Sequence, residues 1–418
     1  GYVVTVNNAA EPETVSGTVV DGLVSGATVK LLDANGNVLA TTTTDANGQY
    51  TLEATESIGT RIVVDGGTDV FTNESVNITL TAAKNTKFVS ALSTLLDSTE
   101  SLDETLKTNI GLTDDFNHVT DNPLENLQAQ KINAELINII TVGEGLLESA
   151  GVANGTGDEL IVDQIIESIK LGKSLTSAAD VEEILVNSSK DTVAESKVAS
   201  LASNISASLA SANEAIEDSV DIIEVAEVQK VVLDDQNSIL ADVITSVSEN
   251  TDYVAETSEQ IKAEASNVSI PNQKPTSVSI TSQSIEENSA GVDVGELSAK
   301  DVDSKETFTY ELSGTDKDFF ELSGTTLKLK STSSANFETK SSYSVVLTAT
   351  DSGGETVEGA FLIAIEDINE SPTAAVLSSN LLDENKAGVD VGILTATDPD
   401  ADDTFTYALS GTDKDFFE

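Results

Sequence analysis

Apolar residues follow two different spacings along the chain. Near both ends they alternate with polar residues in short runs, as at Val29 and Leu31, and again at Val345, Leu347 and Ala349. In the middle of the chain they recur at every third or fourth position. Alternation is typical of a half-buried strand, and the longer spacing is typical of an amphipathic helix. The pattern therefore predicts a multidomain fold in which all-β, Ig-like sandwiches flank an all-α helical module.

The turn-forming and helix-breaking residues indicate where the segments meet. No glycine occurs between Gly172 and Gly291, and no proline occurs between Pro123 and Pro271. A long stretch that lacks both residues favours helices. We predict five segments, which are an upstream tail (1–13), a β-sandwich (14–82), a helical module (83–269), a complete β repeat (270–372) and a truncated second repeat (373–418).

The helical spacing is clearest in four stretches of the middle region. Their opposite faces carry Ser, Asp, Glu and Asn, and few Lys or Arg. A helix that lies on a membrane surface would carry basic residues on its polar face. We therefore interpret the region as a helical spacer or interaction module with a solvated surface. The four stretches are 92–96, 132–147, 201–216 and 239–247.

Two Asp-Ala-Asn-Gly sequences punctuate the first β region, at residues 33–36 and 45–48. They lie between alternating runs, where Asn-Gly is a strong hairpin signal because both residues accept positive φ. A calcium loop is the competing interpretation. An EF-hand loop needs Gly at its sixth position, whereas here Gly is the fourth residue in both sequences. We predict hairpin turns.

The first β region also resembles a known family. Three sequences carry the resemblance, Val15-Ser-Gly-Thr-Val-Val-Asp, Val24-Ser-Gly-Ala-Thr-Val and Thr44-Asp-Ala-Asn-Gly-Gln-Tyr. This arrangement resembles the carboxypeptidase regulatory-like, transthyretin-like β-sandwich. The resemblance implies a spacer or scaffold domain of a secreted bacterial protein, since that is the usual role of the family.

The last third of the chain repeats itself with a constant offset of 97 residues. Glu287-Asn288 recurs as Glu384-Asn385, and Asp301-Val-Asp303 recurs as Asp398-Pro-Asp400. Between residues 285–321 and 382–418, 26 of 37 positions are identical. A unit of this length with short alternating strands has the size of an Ig-like sandwich and is too long for one turn of a solenoid.

The order of short motifs in this unit resembles the cadherin repeat. Glu-Asn is followed by Asp-x-Asp, Phe-Glu, Ala-Thr-Asp and finally Asp-x-Asn-Glu-x-Pro. In that family the base of one repeat, the linker and the top of the next repeat enclose calcium ions. Oxygen ligands of these kinds are those that calcium prefers. The resemblance implies that the junction between the two repeats binds calcium through Glu287, Glu338, Asp367, Asn369, Glu370, Asp398 and Asp400.

Five further residues match the family less completely. Asn336 stands where the family usually has an acid, and Glu384 repeats the position of Glu287. Asp301, Asp303 and Asp351 match the ligands at the top of a repeat. However, the segment before that repeat, residues 270–275, has no acid and carries a lysine. Too few oxygens would replace the water around calcium there, so we expect weak binding at that end.

The overall charge excludes several classes of function. With 72 acidic and 21 basic residues, the net charge is −51, which opposes binding to nucleic acid and to an anionic membrane surface. The chain has no cysteine and a single histidine, His118, so thiolate chemistry and multi-histidine zinc sites are excluded. There is no Gly-rich phosphate loop or serine elbow. We do not expect an enzyme.

These features together predict a calcium-rigidified, rod-forming segment of a large bacterial adhesin at the cell surface or outside the cell. The partner would be a cell-surface protein, a glycan or a second copy of the same molecule. Two alternatives stay open, a non-catalytic stalk of an exported enzyme and a structural component of an extracellular matrix or S-layer. Because the sequence lacks methionine and stops within a repeat, we expect it to be an interior part of a longer polypeptide.

Overall fold

The computed structural model describes residues 13–54, 59–97, 104–113, 115–153, 155–234, 236–249, 251–303 and 306–418. The chain forms two compact units, each of which is described by itself. The first unit comprises Gly1–Gln273 with Val302–Lys305. The second comprises Lys274–Asp301 with Glu306–Glu418.

The first unit begins with β-sheets, as the alternating pattern predicts. One sheet has the strand order β4-β3-β6-β8 and another has the order β5-β1-β9. Val29 and Leu31 of β3 are fully buried, while Lys30 between them is partly exposed. The strands are β1 (Glu13–Val19), β2 (Val24–Ser25), β3 (Thr28–Asp33), β4 (Val38–Thr43), β5 (Gln49–Ala54), β6 (Gly59–Asp65), β7 (Thr68–Asp69), β8 (Thr79–Ala83) and β9 (Phe88–Val89).

Both Asp-Ala-Asn-Gly sequences form turns, but only the first is a hairpin turn, since it joins the paired strands β3 and β4. The prediction of a second hairpin is wrong, because residues 45–48 connect β4 to β5, which lies in the other sheet. The Oδ1 atom of Asp33 accepts hydrogen bonds from the backbone N–H groups of Asn35 and Asn37, each at 2.8 Å. Asp45 accepts equivalent bonds from the second and fourth residues after it, at 2.8 and 2.9 Å. Gly36 has φ +82°, a conformation that favours glycine. These carboxylates stabilise turns, which agrees with the turn interpretation over the calcium loop.

The middle region is helical, and the four predicted stretches lie within α1, α3, α6 and α8. Among the described residues there are nine α-helices. Asn126 caps the long helix α3, because its side chain accepts a hydrogen bond from the N–H of Ala129. The helices are α1 (Ala91–Asp97), α2 (Glu104–Asn109), α3 (Leu127–Ser149), α4 (Gly157–Lys170), α5 (Ala178–Ser188), α6 (Glu195–Glu217), α7 (Ile222–Asp234), α8 (Gln236–Glu249) and α9 (Ser258–Ala265).

The β-sheets and most of the helices of the first unit share one hydrophobic core. This core runs from Val15 in β1 through Leu92 in α1 to Leu209 in α6. Helix α1 packs against both β8 and α3 and so links the sheet to the helices. The short strand β9, which pairs in parallel with β1, lies beyond residue 82. The change of pattern near residue 82 therefore does not separate two independent cores.

The single histidine is a buried loop residue of this unit. His118 is 4% exposed, and its Nε2 atom lies 3.0 Å from Oδ1 of Asp97. Asp97 also accepts hydrogen bonds from the backbone of Ala83 and the side chain of Thr86. Although burial raises the pKa of Asp97, these hydrogen bonds hold it below its usual value. Asp97 thus connects the end of α1 to the loop of His118 and to the turn after β8.

The second unit contains the complete repeat as a sandwich of two four-stranded sheets. Their strand orders are β10-β12-β15-β14 and β11-β17-β16-β13. The predicted late strands are β16 and β17, and alternate residues of β16 are buried. The strands are β10 (Ser277–Ile280), β11 (Ser284–Glu286), β12 (Asp293–Lys300), β13 (Thr309–Ser313), β14 (Phe320–Ser323), β15 (Thr326–Leu329), β16 (Ser342–Thr350) and β17 (Thr356–Glu366).

The opening strands of the second repeat follow. Strands β18 (Ala374–Leu377) and β19 (Leu394–Thr397) form an antiparallel pair. In the part of the chain that the structure describes, no helix is both long and apolar enough to cross a membrane.

The shared core of the first unit leads to a prediction about cooperativity. Leu92 is fully buried in α1, between the sheet and the helices. Leu92→Ala should lower the free energy of unfolding by about 2–5 kcal/mol, because it leaves a cavity in the common core. Amide hydrogen exchange should then become faster in both β8 and α3. The control is Leu347→Ala in the core of the second unit, which should leave exchange in β8 and α3 unchanged. Faster exchange in α3 alone would contradict a common core.

Candidate metal centre

Parallel strand pairing brings two of the predicted ligands together. Strand β11 pairs with the end of β17 in parallel, with Glu286 opposite Glu366. The residues that follow parallel strands leave the sheet at the same edge. Glu287 and Asp367, which come directly after these strands, therefore lie at one end of the complete repeat.

Glu287 is held in place by backbone amides. It is 3% exposed, and its two carboxylate oxygens accept hydrogen bonds from the N–H groups of Ile368 and Phe337, both at 2.9 Å. These hydrogen bonds, that of Ile368 first, hold the pKa of Glu287 below its usual value. Glu287 is therefore a fixed and ionised carboxylate at neutral pH.

The turn that carries Glu338 is attached to the same end of the sandwich. The backbone N–H of Asn288 donates to the carbonyl of Ala335 at 2.9 Å. Asn288 has φ +59°, in the left-handed region that asparagine enters more readily than most residues. Asn385, its equivalent in the next repeat, has φ +62°. The Glu-Asn motif thus has a structural reason: the glutamate anchors the linker and the asparagine turns the chain.

The Asp-x-Asp motif of the second repeat reaches this end through a second strand pair. Thr397 at the end of β19 lies opposite Ala374 at the start of β18, and the N–H of Thr373 donates to the Thr397 carbonyl at 2.7 Å. The N–H of Glu370 donates to Oδ2 of Asp400 at 2.7 Å. The linker and the top of the second repeat are therefore in direct contact.

Four carboxylates converge at this junction. Glu287, Glu338, Asp367 and Asp400 each offer one oxygen, and these four oxygens lie within 4.8 Å of one another. Two ligands on opposite sides of a calcium ion are about 4.6–5.2 Å apart, because each lies about 2.3–2.6 Å from the ion. The spacing of the four oxygens is thus compatible with shared coordination of one ion.

A second group of carboxylates shares Asp400 with the first. It consists of Asp398, Asp400 and Asp403, again with one oxygen of each within 4.8 Å of the others. Asp403 was not among the ligands that the sequence predicted. The equivalent residue of the first repeat is Glu306, which accepts hydrogen bonds from Ser352. The repeat comparison gave no signal for Asp403, since the two positions differ in residue type and in role.

Three carboxylate oxygens at the junction are buried without a hydrogen bond from the described residues. They are Oε2 of Glu370, Oδ2 of Asp398 and Oδ1 of Asp400. A buried, unpaired carboxylate oxygen is costly, and a bound cation would remove that cost. All the converging ligands are oxygens, which suits calcium better than zinc or copper. The residues at the junction therefore fit a calcium ion.

The electrostatics of the cluster agree with this fit. Desolvation by neighbouring groups and then the charge of Asp400 are the leading causes that raise the pKa of Asp367. A backbone hydrogen bond lowers the pKa of Glu338, but desolvation and the charges of Glu287, Glu370 and Asp367 outweigh it and raise that pKa. Each carboxylate thus makes ionisation of its neighbours less favourable.

The remaining predicted residues occupy other positions. Asn369 donates its side-chain N–H to the carbonyl of Glu370 at 2.7 Å, and Glu370 itself accepts from Asn288 at 2.7 Å. The Oδ1 of Asn336 accepts from Thr339 at 2.8 Å and so closes a turn. Calcium binding by these two asparagines stays a prediction.

Four predicted acids also lie outside the two converging groups. Glu384 is exposed. Asp303 accepts a hydrogen bond from the N–H of Gln273 at 2.7 Å, and Asp351 accepts one from Glu355 at 2.8 Å. Among the described residues, neither group of converging oxygens includes Glu384, Asp301, Asp303 or Asp351.

Part of the chain next to the junction matches a known family. Residues 281–366 match the family model of the cadherin domain. This segment is a cadherin domain. Cadherin domains usually bind Ca²⁺ and are typically extracellular. The matched segment ends at Glu366, directly before the linker, and contains Glu287 and Glu338.

Part of the chain is similar to solved protocadherin structures. Human protocadherin-24 EC1-2 is 22% identical, with 30% of this chain and 60% of that structure covered, at a TM-score of 0.25. Protocadherin gamma B7 extracellular cadherin domains 1-4 is 21% identical, with 30% and 33% covered, at a TM-score of 0.25. At these scores the likenesses carry no functional argument. No curated protein matches the chain.

Repulsion among these carboxylates predicts that loss of one of them stabilises the protein when no metal is bound. The pKa of Asp367 is raised in the folded state, so ionisation of this carboxylate lowers the stability of the metal-free second unit as the pH rises above the ordinary pKa of aspartate. In the presence of chelator at pH 7, Asp367→Asn should therefore raise the melting temperature of the second unit by a few degrees. The difference from the unsubstituted protein should disappear near pH 3, where both states are protonated. A melting temperature that falls at pH 7 would show that the carboxylates do not repel.

Proposed function

We propose that residues 270–418 bind calcium at the 367–372 junction and that the ion stiffens the connection between two cadherin-type repeats. The observation that supports this proposal best is the convergence of Glu287, Glu338 and Asp367 of one repeat with Asp400 of the next. Because this group contains ligands from both repeats, a cation bound to it would also link the two repeats.

The mechanism is electrostatic. Without a cation, the four carboxylates repel, and the junction relies on few contacts, such as the bond from Glu370 to Asp400. Bound calcium would supply two positive charges to oxygens that otherwise face one another. Glu287 is fixed by Ile368 and Phe337, so it would provide the rigid side of the site. Asp400 would then be drawn towards the base of the preceding repeat.

The same proposal extends to the biological role. A junction that is stiff only in millimolar calcium suits an extracellular setting, where such concentrations occur. We propose a rod-forming, non-catalytic segment of a bacterial surface or secreted adhesin, which would bind a cell-surface protein, a glycan or a second copy. The large negative charge of −51 favours solubility of such a rod and opposes non-specific attachment to anionic surfaces.

Calcium titration of the whole chain tests the proposal. Calcium should raise the melting temperature of the second unit with a dissociation constant on the order of 10⁻⁴–10⁻³ M. It should also slow amide exchange in residues 366–373 and 397–403. Glu287→Gln removes a carboxylate from the first group, and Asp398→Asn removes one from the second group, which shares Asp400 with the first. Each substitution should therefore remove most of this stabilisation.

The matched control is Asp301→Asn, since Asp301 is the equivalent of Asp398 at the offset of 97 residues. Asp301 is outside the converging groups, so its substitution should change the calcium response little. Equal loss from Asp301→Asn and Asp398→Asn would place the site elsewhere. A melting curve that is the same in calcium and in chelator would refute the proposal.

A further inference from the structure

A second concentration of negative charge lies in the first unit, far along the sequence from the cadherin repeats. A cavity of about 620 Å³ opens between the sheet and helices α3 and α4. Its lining includes four carboxylates, Asp65 from β6, Glu144 and Glu148 from α3, and Asp158 from the first turn of α4. A cavity of this volume is in the range of sites for small organic molecules.

One of these carboxylates is almost completely buried and only half satisfied. Asp158 is 4% exposed, and its Oδ2 accepts a hydrogen bond from the N–H of Thr79 at 2.8 Å. Its Oδ1 is buried and accepts no hydrogen bond from the described residues, and the same is true of Oε1 of Glu148. Burial of a carboxylate oxygen without a partner lowers the stability of the fold, unless a hydrogen-bond donor or a cation reaches that oxygen.

The charges that line the cavity are only partly balanced. Lys30 of β3 pairs with Asp65 at 2.7 Å and neutralises it. Burial, followed by the charge of Asp158, raises the pKa of Glu144 to about 7, and Glu148 contributes in the same direction. In the described structure, no lysine forms an ion pair with Glu144, Glu148 or Asp158, whereas Asp65 is paired with Lys30.

The arrangement does not suit a bare metal ion. Unlike the junction ligands, no three of these carboxylates bring oxygens within 4.8 Å of one another among the described residues. An occupant that pairs with all of these carboxylates must therefore place positive charge at more than one point. Val76 and Ile78 line the same space and offer apolar surface between the charges.

We propose that this cavity binds an alkyl diammonium ion, a cation with two amino groups joined by a short methylene chain. One ammonium group would donate to Asp158, the other to Glu148, and the methylene chain would lie against Val76 and Ile78. Charge-assisted hydrogen bonds of this kind are stronger than neutral ones, particularly where water is excluded. The site is separate from the cadherin junction and does not depend on calcium.

Titration calorimetry of the whole chain with 1,4-diaminobutane tests this inference. The experiment is done at pH 8 and at about 0.15 M salt, where attraction to the general negative surface is screened. Asp158→Asn and Glu148→Gln should each weaken binding by about tenfold or more, because each removes one charged acceptor. Asp158→Asn keeps an oxygen for the Thr79 N–H, so it should preserve the fold. Circular dichroism checks folding for both variants.

Two controls separate this site from general attraction to an acidic protein. Asp163→Asn removes an exposed charge from the same helix outside the cavity, and it should leave the affinity unchanged. Butylamine, which has one ammonium group, should bind at least about tenfold more weakly than the diamine. Binding should also be weaker at pH 6 than at pH 8, because Glu144 is protonated below its pKa of about 7.

Several results would overturn the proposal. Folded protein that gives no binding heat with the diamine would do so, as would an affinity that Asp163→Asn lowers as much as Asp158→Asn. Equal affinity for butylamine would exclude two separated ammonium positions. Calcium binding that is lost in Asp158→Asn but kept in Asp163→Asn would identify the cavity as a metal site instead.

Discussion

The pairing of β11 with β17 is the constraint on which the junction depends. Because these strands are parallel, Glu287 and Asp367 must leave the sandwich at the same end, whatever the mutual repulsion of their charges. Backbone amides of Ile368 and Phe337 then hold Glu287 in its charged form. The buried core around Leu347 and Phe320 stabilises the sheets that impose this arrangement. The fold thus keeps acids close together that would separate in a flexible chain, and a site for a divalent cation results.

Much of this arrangement could be predicted from the sequence, because the acidic motifs recur in the same order in both repeats. Motif order placed Glu287, Glu338, Asp367 and Asp400 in separate segments that the family brings together, and the strands at residues 345–349 and 361–365 followed from alternation. Asp403 could not be predicted in this way, because its counterpart Glu306 forms hydrogen bonds with Ser352 instead. The local role of Asn336 could not be predicted from its position in the motif either. Its amide oxygen accepts a hydrogen bond from Thr339 and closes a turn, and its binding to calcium stays a prediction.

The spacing of apolar residues identified the helices but not the elements that pack against them. The three- and four-residue spacing identified α1, α3, α6 and α8, since it reports which face of a helix is apolar. It does not report what covers that face. Leu92 is buried against both the β-sheet and α3, so the sheet and the helices share a core that looked like two separate modules in the sequence. The same packing forms the acidic cavity, because Thr79 of the sheet donates to Asp158 of α4 across the boundary.

The two acidic sites show how distance selects between ligands of the same charge. At the junction, four oxygens lie within 4.8 Å, close enough for one small ion to contact all of them. In the cavity, the charges of Asp158 and Glu148 raise the pKa of Glu144, so these acids interact. However, no three of them bring their oxygens together at one point among the described residues. A compact divalent ion would leave some of those oxygens unpaired there, whereas a longer cation with separated charges could reach more than one. Net charge alone, at −51 for the chain, would attract either ligand equally, so the spacing of the carboxylates must provide the selectivity.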